Sequence, residues 1–520
     1  MFGTLAAISS AVFLVFYVFV MPVVEYFRDP KGLRRYPGMT WYAGITNLAM
    51  MLESHRGFRS QTLANLHKKY PVIRTGPNAL SYGDVRAIKD IYGHNTKCLK
   101  DGNYTTLAGS HFNLADVIDR GDHSRKRKIL SAAYALKNLE AWEFKVADKT
   151  ERLVKQFDTR CTMPLKPGVA VPAVEDLTVD YRMWTNFFSL DAIADIGLSE
   201  KLGFLDNGHD RVTAQRTDGS TYEVNFRECV YNNAHLQSLL IWNYSWYHRV
   251  KKIASLIPFY GRKARLGQGF DGIVLEQSSK RLKRYQNAER LDDFFQVLME
   301  DKTGKPNNLE WGEIVAEVNV MMNAGSVTTA IAMANVLHQL LKHPQMLEKL
   351  HSEVDAVLDD DEVVAPYEKV KNLPYLRACL DESLRLFPPT SHGLTRATPP
   401  EGAVILGDFI AGDTTVSMSA LVAHRDEKVY PQAEKFIPDR WLGENGKELQ
   451  PYFITFSAGA RGCIGRNISY LEQTVLLASM VHRYEFALPS PNWEIKRLET
   501  FNLILGEMPV KIWRRNLGKT

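Results

Sequence analysis

The feature that most limits the fold is a long helical pattern in the second half of the chain. It can begin after Asn307 and Asn308, whose side chains can cap a helix, and it runs to His343, where Pro344 stops it. That is about 34 residues, or roughly 50 Å at 1.5 Å per residue. Its middle, Val318 to Met333, carries no charge, which predicts burial on every side. Such a helix requires a large body packed around it.

The surrounding pattern is mainly helical with a small β region. From Asp122 to about residue 350, apolar residues recur at helical spacing, as in 190–197 and 294–299. Short strands are expected at 72–74, 80–82, 403–406 and 414–417, and residues 205–225 are expected to form a mobile surface connection. The 520 residues would by length alone suggest two or three domains. Without a repeat or a low-complexity tract, residues 51–520 are interpreted as one fused domain.

The first 24 residues are typical of a membrane anchor. Met1 to Val24 is uncharged and long enough to cross roughly 30 Å of hydrocarbon as a helix. A cleaved signal peptide is less well supported, because a basic start and a small-residue cleavage site are not evident. Residues 25–50 are expected to form a linker that Pro30 and Pro37 stiffen. The positive charge that follows the span places the body in the cytosol by the positive-inside rule. The basic residues behind the span are Arg28, Lys31, Arg34 and Arg35.

Cysteine usage and charge exclude several other classes of protein. The five cysteines are scattered and never form a Cys-x-x-Cys pair, which argues against a disulfide framework or a four-cysteine zinc site. A reducing compartment fits best. The net charge of +5 is small for this length, and without a long basic tract it does not indicate nucleic-acid binding.

A glycine-rich loop around Cys463 carries the clearest chemical signal. It reads Phe-Ser-Ala-Gly-Ala-Arg-Gly-Cys-Ile-Gly over 456–465 and leads into an apolar helix over 468–481. Glycines let a loop approach a flat cofactor, and a cysteine just before a helix faces N–H groups that favour its thiolate. Arg461 could pair with an acidic group on the cofactor. The alternative, a buried inert cysteine beside a turn, accounts for less of this pattern.

At these residues the chain resembles the cytochrome P450 family, and the resemblance extends over essentially the whole body. Phe456, Gly459, Arg461, Cys463 and Gly465 match the family's haem-binding signature in type and spacing. The resemblance implies the cytochrome P450 fold, with haem b bound and its iron ligated by the Cys463 thiolate. Such a thiolate pushes electron density onto iron and favours O–O cleavage.

Two further motifs resemble structural parts of the family. Glu382-Ser-Leu-Arg385 matches its Glu-x-x-Arg pair, whose side chains share one helix face and can form an ion pair. The segment 436–441 matches the stretch that supplies a second arginine, here Arg440. In the family this trio locks the core behind the haem. We therefore assign it to folding and haem retention rather than to chemistry.

The resemblance also implies further haem contacts and a redox partner. His123 and Arg127, four residues apart on one helix face, match a propionate-binding pattern, and Arg396 matches a strand arginine. The neighbouring Arg125 and Lys126 are expected to point outward. In the family that outer surface docks an acidic NADPH-dependent flavoprotein reductase, which a basic patch would steer.

The middle of the long helix resembles the family's oxygen-binding groove. Gly325, Ser326, Thr328 and Thr329 are the candidate catalytic residues, with Thr328 positioned to hydrogen-bond oxygen. Here the chain departs from the family, because Val327 stands where an acid usually precedes the threonine. Protons must then come from water, Ser326, Asn323 or the substrate.

The resemblance implies an enzyme that uses O₂ and electrons from NADPH at the endoplasmic reticulum membrane. It would either insert one oxygen atom, as a monooxygenase, or couple phenols by radical chemistry. Framework stretches look like fungal members resembling benzoate para-hydroxylase and pisatin demethylase, which suggests a small aromatic or secondary-metabolite substrate. By family position, the pocket should draw on 104–118, the long helix, 389–394 and 502–505, with His392 or His111 available to hold a carboxylate. Two alternatives stay open: a haem-thiolate isomerase or dehydratase that needs no O₂, and a non-catalytic haem sensor.

Overall fold

The chain is built mainly from helices, and a computed structural model of it describes residues 9, 12–13, 15–131, 133–135 and 140–517. A π-helix, Phe16–Val20, leads into the first α-helix. The mainly helical prediction is confirmed. In chain order the α-helices are α1 Met21–Arg28, α2 Leu48–Arg56, α3 Arg59–His67, α4 Ala87–Tyr92, α5 Arg120–Ser131, α6 Glu143–Asp158, α7 Tyr181–Leu198, α8 Phe204–Asn207, α9 Phe226–Leu240, α10 Tyr247–Ala254, α11 Pro258–Gln286, α12 Phe294–Met299, α13 Trp311–Lys342, α14 Pro344–Asp355, α15 Tyr367–Val370, α16 Pro374–Leu386, α17 Ala420–Ala423, α18 Gly443–Leu449 and α19 Arg466–Arg483.

The long helix α13 runs through the core as expected. It begins at Trp311 rather than directly after Asn307, because the Asn307 amide donates to the Val297 carbonyl instead of capping the helix. Residues 329–340 are all buried. Its main neighbour is α7, and a Cβ added at Gly325 would come within 2.7 Å of Ile193. The missing side chain therefore allows the two helices to pack closely.

Short strands form a five-stranded sheet and several small ladders. The order in the main sheet is β1-β2-β10-β7-β3, with β2 and β10 parallel and the other neighbours antiparallel. The predicted strands at 72–74, 80–82, 403–406 and 414–417 are confirmed. The strands are β1 Val72–Gly76, β2 Ala79–Tyr82, β3 Leu99–Lys100, β4 Val179–Asp180, β5 Arg211–Gln215, β6 Thr221–Asn225, β7 Arg396–Ala397, β8 Ala403–Ile405, β9 Asp408–Ile410, β10 Thr415–Ser417, β11 Tyr484–Ala487, β12 Arg497–Glu499, β13 Leu503–Leu505 and β14 Pro509–Arg514.

The prediction of a mobile connection over 205–225 is wrong. That stretch contains most of α8 and a regular antiparallel hairpin of β5 and β6 with five paired positions. Val212 and Ala214 alternate with more exposed residues and are buried, and the hairpin packs against α11. With only two buried side chains in the hairpin, the alternation of its strands is difficult to recognise in the sequence.

The segment after α1 is docked on the main sheet. The helix ends at Arg28, before Pro30, as the prolines predict. Backbone hydrogen bonds then join Pro37 and Met39 to Arg74 in β1. Most of residues 1–14 of the predicted anchor lie outside the described residues. In the described part of the chain, only α13 is long and apolar enough to span a membrane, and 72% of its most apolar window is buried inside the protein.

Candidate active site

Most of the predicted site residues meet in one cavity of about 330 Å³. The cavity lies between α13 and the loop that precedes α19, and α5 and β7 close one side of it. Its wall includes these ten candidates: His123, Arg127, Gly325, Thr328, Thr329, Arg396, Phe456, Arg461, Cys463 and Gly465.

A tight turn holds the cysteine loop in place. The Cys463 N–H donates to the Phe456 carbonyl at 2.8 Å, so the chain folds back on itself just before α19. Gly459 has a φ of +64°, and a Cβ there would come within 2.2 Å of the Tyr92 carbonyl oxygen. Any other residue at 459 would both strain the backbone and push α4 away.

The Cys463 thiol faces the cavity at the amino end of α19. It keeps accessible surface although it lies deep in the protein, because that surface opens into the cavity. Burial raises the pKa of the Cys463 thiol, while N–H groups of Gly465 and Arg466 and the charges of Arg127 and Arg466 lower it. The net direction is upward, so the helix end alone does not produce the expected thiolate. A bound metal cation would displace the thiol proton.

The space beside the sulfur fits a flat cofactor rather than a metal held only by protein. A Cβ added at Gly465 would lie 3.8 Å from Tyr134 and 4.0 Å from the Cys463 sulfur, so it would project into the space next to the ligand. Among the described residues, no group of three or more His, Cys, Asp or Glu side chains could hold a metal ion. An iron bound to Cys463 would therefore need a macrocycle to complete its coordination.

The cavity wall also gathers four cationic side chains that could bind a haem's two carboxylates. Within the described ranges, none of the four forms an ion pair with a carboxylate. Each side chain instead donates to a backbone carbonyl, in the pairs Arg127–Gly462 (2.8 Å), Arg461–Val117 (2.6 Å), Arg396–Thr395 (3.0 Å) and Lys100–Ala115. Buried cations without acidic partners are costly unless an anion joins them, and a dianionic haem meets that requirement.

Lys100 was missed by sequence reasoning. It lies on β3 directly opposite Arg396 on β7, a register that only the folded sheet reveals. Burial and then the charges of Arg396 and Arg461 hold the pKa of Lys100 well below its usual range. Burial and Arg396 likewise lower the pKa of Arg461 to about 10, and burial with Arg461 and Arg127 lowers that of His123 to about 4. His123 is therefore a neutral hydrogen-bonding group at physiological pH.

The helix that carries His123 differs from expectation at Lys126. Instead of pointing outward, Lys126 is buried between two acids of α13, with its Nζ 3.2 Å from Glu317 and also bonded to Glu313. This pair ties α5 to α13. Arg125 does face solvent, but it is paired with Asp122 and Glu313.

The predicted ion trio forms and is larger than expected. The Glu382 carboxylate accepts two hydrogen bonds from Arg385, at 2.8 and 2.9 Å, and one from Arg440 at 3.0 Å. The indole N–H of Trp441 donates to the same carboxylate at 2.9 Å. Glu382 and Arg385 are fully buried. Trp441 was not assigned a role from the sequence.

The oxygen groove contains three of its four predicted residues. Thr328 donates to the Ala324 carbonyl at 2.7 Å, and the hydroxyls of Thr329 and Ser469 lie 2.9 Å apart across the cavity edge. Ser326 does not belong to the cavity wall. It is fully buried on another face of α13, and its hydroxyl donates to the Met322 carbonyl at 2.6 Å. The structure therefore places Ser326 apart from the other three candidates, without contact to the cavity.

Neither histidine proposed for a substrate carboxylate is suited to that role. His111 lies at the surface beside Glu310, at 3.1 Å, and is not part of the cavity wall. His392 does line the cavity, but burial and the charge of Arg59 hold its pKa well below the usual range. It is neutral and cannot pair with an anion.

Comparison with known proteins agrees with this geometry. The family model described as cytochrome P450 matches residues 44–513. The chain is 28% identical to benzoate 4-monooxygenase bphA of Aspergillus niger, over 93% of this chain and 92% of that protein. It is 31% identical to cytochrome P450 monooxygenase efuB of Hormonema carpetanum, over 92% of this chain and 91% of that protein.

The fold is similar to that of a cytochrome P450 crystal structure, with a TM-score of 0.70 at 19% identity, covering 92% of this chain and 99% of that one. Together with the cysteine loop and the cations around it, these matches show that the chain belongs to the cytochrome P450 family and is a haem-dependent monooxygenase.

Proposed function

We propose that the protein inserts one atom of O₂ into a small aromatic or secondary-metabolite substrate, with electrons from NADPH delivered by a flavoprotein reductase. The observation that carries the proposal is the placement of the Cys463 thiol and the Thr328 hydroxyl in the wall of one buried, mainly apolar cavity. Relatives support the substrate class, since one is named benzoate 4-monooxygenase and another tryprostatin B 6-hydroxylase.

The chain's own residues would hold the cofactor and keep water out. A haem bound at Cys463 supplies the activation of oxygen. Arg127, Arg396, Arg461 and Lys100 would bind its two carboxylates, with His123 as a neutral hydrogen-bonding group. The remaining wall is largely apolar, which excludes water from the reacting centre. Residues that supply this apolar surface include Leu114, Ile193, Val320, Met321, Leu394 and Phe501.

Proton delivery must rely on the threonine rather than on an acid beside it. Val327 is 6% exposed, belongs to the hydrophobic core and does not line the cavity. An acid at this position would be buried against neighbouring helices. The Thr328 hydroxyl does line the cavity, and it can turn from the Ala324 carbonyl towards a proton acceptor there. We therefore assign proton transfer to Thr328 and to water that it orients.

Thr328→Ala should bind haem normally but divert electrons to hydrogen peroxide. Because a positioned proton donor contributes substantially to the rate, product formed per NADPH should fall on the order of tenfold or more. Parallel measurement of NADPH consumed, peroxide released and product formed tests this. Ser326→Ala is the matched control, because it removes a hydroxyl from the same helix outside the cavity wall. Full product yield per NADPH in Thr328→Ala would show that the substrate or another side chain delivers the proton.

Turnover requirements separate the proposed function from its two alternatives. A strain that lacks this gene should accumulate the substrate. An extract of that strain is combined with the purified protein and an NADPH-dependent flavoprotein reductase, in the presence of NADPH and O₂ or with either one left out. A monooxygenase forms product only when both are present. Product formed without NADPH and O₂ would support the isomerase or dehydratase, and haem binding without turnover would support the sensor.

The same proposal places the enzyme on the endoplasmic reticulum membrane, with one amino-terminal helix in the bilayer and the catalytic body in the cytosol. The apolar helix that ends at Arg28 contacts the body near α10, where Tyr17 and Trp246 have ring centroids 6.5 Å apart. Exposed apolar side chains cluster in sequence just beyond that contact, which supports shallow contact with lipid. They are Ile253, Leu256, Ile257 and Phe259.

A further inference from the structure

Two neutral polar side chains in the cavity wall have no part in holding the cofactor or moving a proton. Thr390 follows α16, and Asn502 lies at the tip of the hairpin between β12 and β13. We call these two residues the polar corner. His392 lies beside them and also lines the cavity. Thr390 and Asn502 are neutral polar groups in a mainly apolar wall, where such groups can fix the orientation of a substrate.

The two side chains of the polar corner are joined by one hydrogen bond, in which Thr390 is the donor and Asn502 the acceptor. The Thr390 hydroxyl donates to the Asn502 Oδ1 at 2.7 Å, so the amide oxygen is occupied and the amide nitrogen is directed elsewhere. Within the described residues, the Nδ2 of Asn502 has no hydrogen-bond partner. Asn502 therefore offers the cavity a donor rather than an acceptor.

The backbone that carries Asn502 is rigidly held. Thr500 N–H donates to the Asn502 carbonyl at 2.9 Å, and Leu503 N–H donates to the Pro389 carbonyl at 2.8 Å. Beneath this turn, Arg59 donates to the Glu499 carboxylate at 2.6 Å in a buried ion pair. A donor on such a supported turn loses little freedom when it binds a ligand, which favours selectivity.

His392 fixes the adjacent wall without adding charge. Its ring packs edge-on against Phe501, with centroids 4.9 Å apart, and its Nδ1 is buried without a partner among the described residues. A neutral imidazole at this point cannot attract an anion. It holds Phe501, the neighbour of Asn502, in position.

Each charged side chain in the described cavity wall already has a partner or an assigned role. The four cations surround the space assigned to the haem carboxylates. The one acid, Glu317, accepts hydrogen bonds from Lys126 and from the Leu114 N–H, each at 3.2 Å. Because these cations are assigned to the haem carboxylates, none is assigned to a carboxylate brought in by a substrate, and an unpaired carboxylate in an apolar wall is strongly disfavoured.

We propose that the polar corner selects a neutral substrate that presents a hydrogen-bond acceptor, such as a ketone, ester, lactone or amide oxygen, to the Nδ2 of Asn502. Substrates that carry a free carboxylate are rejected. This inference rests on the proposed function and specifies its substrate class. It also separates this enzyme from a relative whose printed name is benzoate 4-monooxygenase.

The test uses ligands that bind through the iron, so binding is measurable whatever the natural substrate is. The ligands are phenylimidazoles and their longer biphenyl homologues, each prepared with one of three tails of similar size: acetyl, isopropyl or carboxylate. Each is titrated into the haem-loaded full chain while the Soret band is followed. For at least one of the two ligand lengths, the ligand with the acetyl tail should bind about three- to tenfold tighter than the ligand with the isopropyl tail. That difference corresponds to one net hydrogen bond. The carboxylate tail should bind at least about tenfold more weakly than isopropyl.

Variants assign the preference to Asn502. Asn502→Leu removes the donor and should abolish the advantage of acetyl over isopropyl, while the affinity for the isopropyl ligand, the internal control, stays within about twofold. Thr390→Val should reduce the acetyl advantage, because the amide is then free to turn.

Three results would overturn the proposal: tight binding of the carboxylate tail, equal binding of acetyl and isopropyl at every length, or an acetyl preference that survives Asn502→Leu. Loss of thiolate ligation in the reduced, carbon-monoxide-bound protein would instead refute the proposed function, so the two failures are distinguishable.

Discussion

Replacing Cys463 with serine is expected to abolish thiolate ligation and, with it, monooxygenase activity. Cys463 is the one cysteine in the described wall of the cavity, and its sulfur lies where the amino end of α19 meets that space. Burial already opposes ionisation of the thiol, and it opposes ionisation of a serine hydroxyl far more. Loss of an outer-shell partner typically lowers activity 10- to 100-fold, so loss of the ligand should lower it by more than about 100-fold.

The measurement is the absorption spectrum of the reduced, carbon-monoxide-bound protein. The parent chain should show the red-shifted Soret band of thiolate ligation, and Cys463→Ser should lack it. Cys161→Ser is the matched control, since Cys161 is a half-buried cysteine outside the cavity wall, and it should keep the band. Retention of the band and of normal haem content in Cys463→Ser would disprove the assignment.

The parts of the site that the sequence predicts are those built from one continuous stretch. The Cys463 loop, the helix around Thr328 and the pair of Glu382 and Arg385 each depend on residues a few positions apart. Local spacing fixes their relation, because a turn or a helix places such residues on one face. The absence of charge over 318–333 likewise predicted the burial of most of that stretch, but Ala324, Gly325 and Thr328 line the cavity and keep accessible surface.

The parts that the sequence does not predict depend on contacts between distant stretches. Lys100 joins the cations only because β3 pairs with β7, and Lys126 turns inward only because α13 presents Glu313 and Glu317 to it. Ser326 lies between Gly325 and Thr328 in sequence, yet helical rotation places its side chain away from the cavity. Helix pairing and strand register, rather than residue type, decide each of these cases.

Glu382→Ala should leave little folded, haem-loaded protein. The carboxylate is fully buried and accepts hydrogen bonds from Arg385, Arg440 and Trp441, besides the N–H of Ile437 at 2.9 Å. Removing it strands two buried guanidinium groups, which lowers the free energy of unfolding by about 3–5 kcal/mol. That is a large part of the 5–15 kcal/mol typical of a folded protein.

The charge of Glu382 should matter as well as its shape. Burial acts to raise its pKa, but hydrogen bonds from Arg385 and the charges of Arg385 and Arg440 together hold the pKa below its usual range. Its stabilising contribution is therefore complete above the ordinary glutamate pKa and is lost only as the pH falls through the lowered value. Glu382→Gln keeps the shape without the charge and should be intermediate in the free energy of unfolding.

Glu472→Gln is the matched control for a buried acid. Glu472 lies on α19 with both carboxylate oxygens buried and without a partner among the described residues, and burial holds its pKa well above the usual range. It is therefore neutral, and replacing it with glutamine should change the free energy of unfolding by less than about 1 kcal/mol. Haem content per polypeptide and denaturant unfolding measure all three variants. Normal haem content and unchanged stability in Glu382→Ala would show that the trio does not hold the core together.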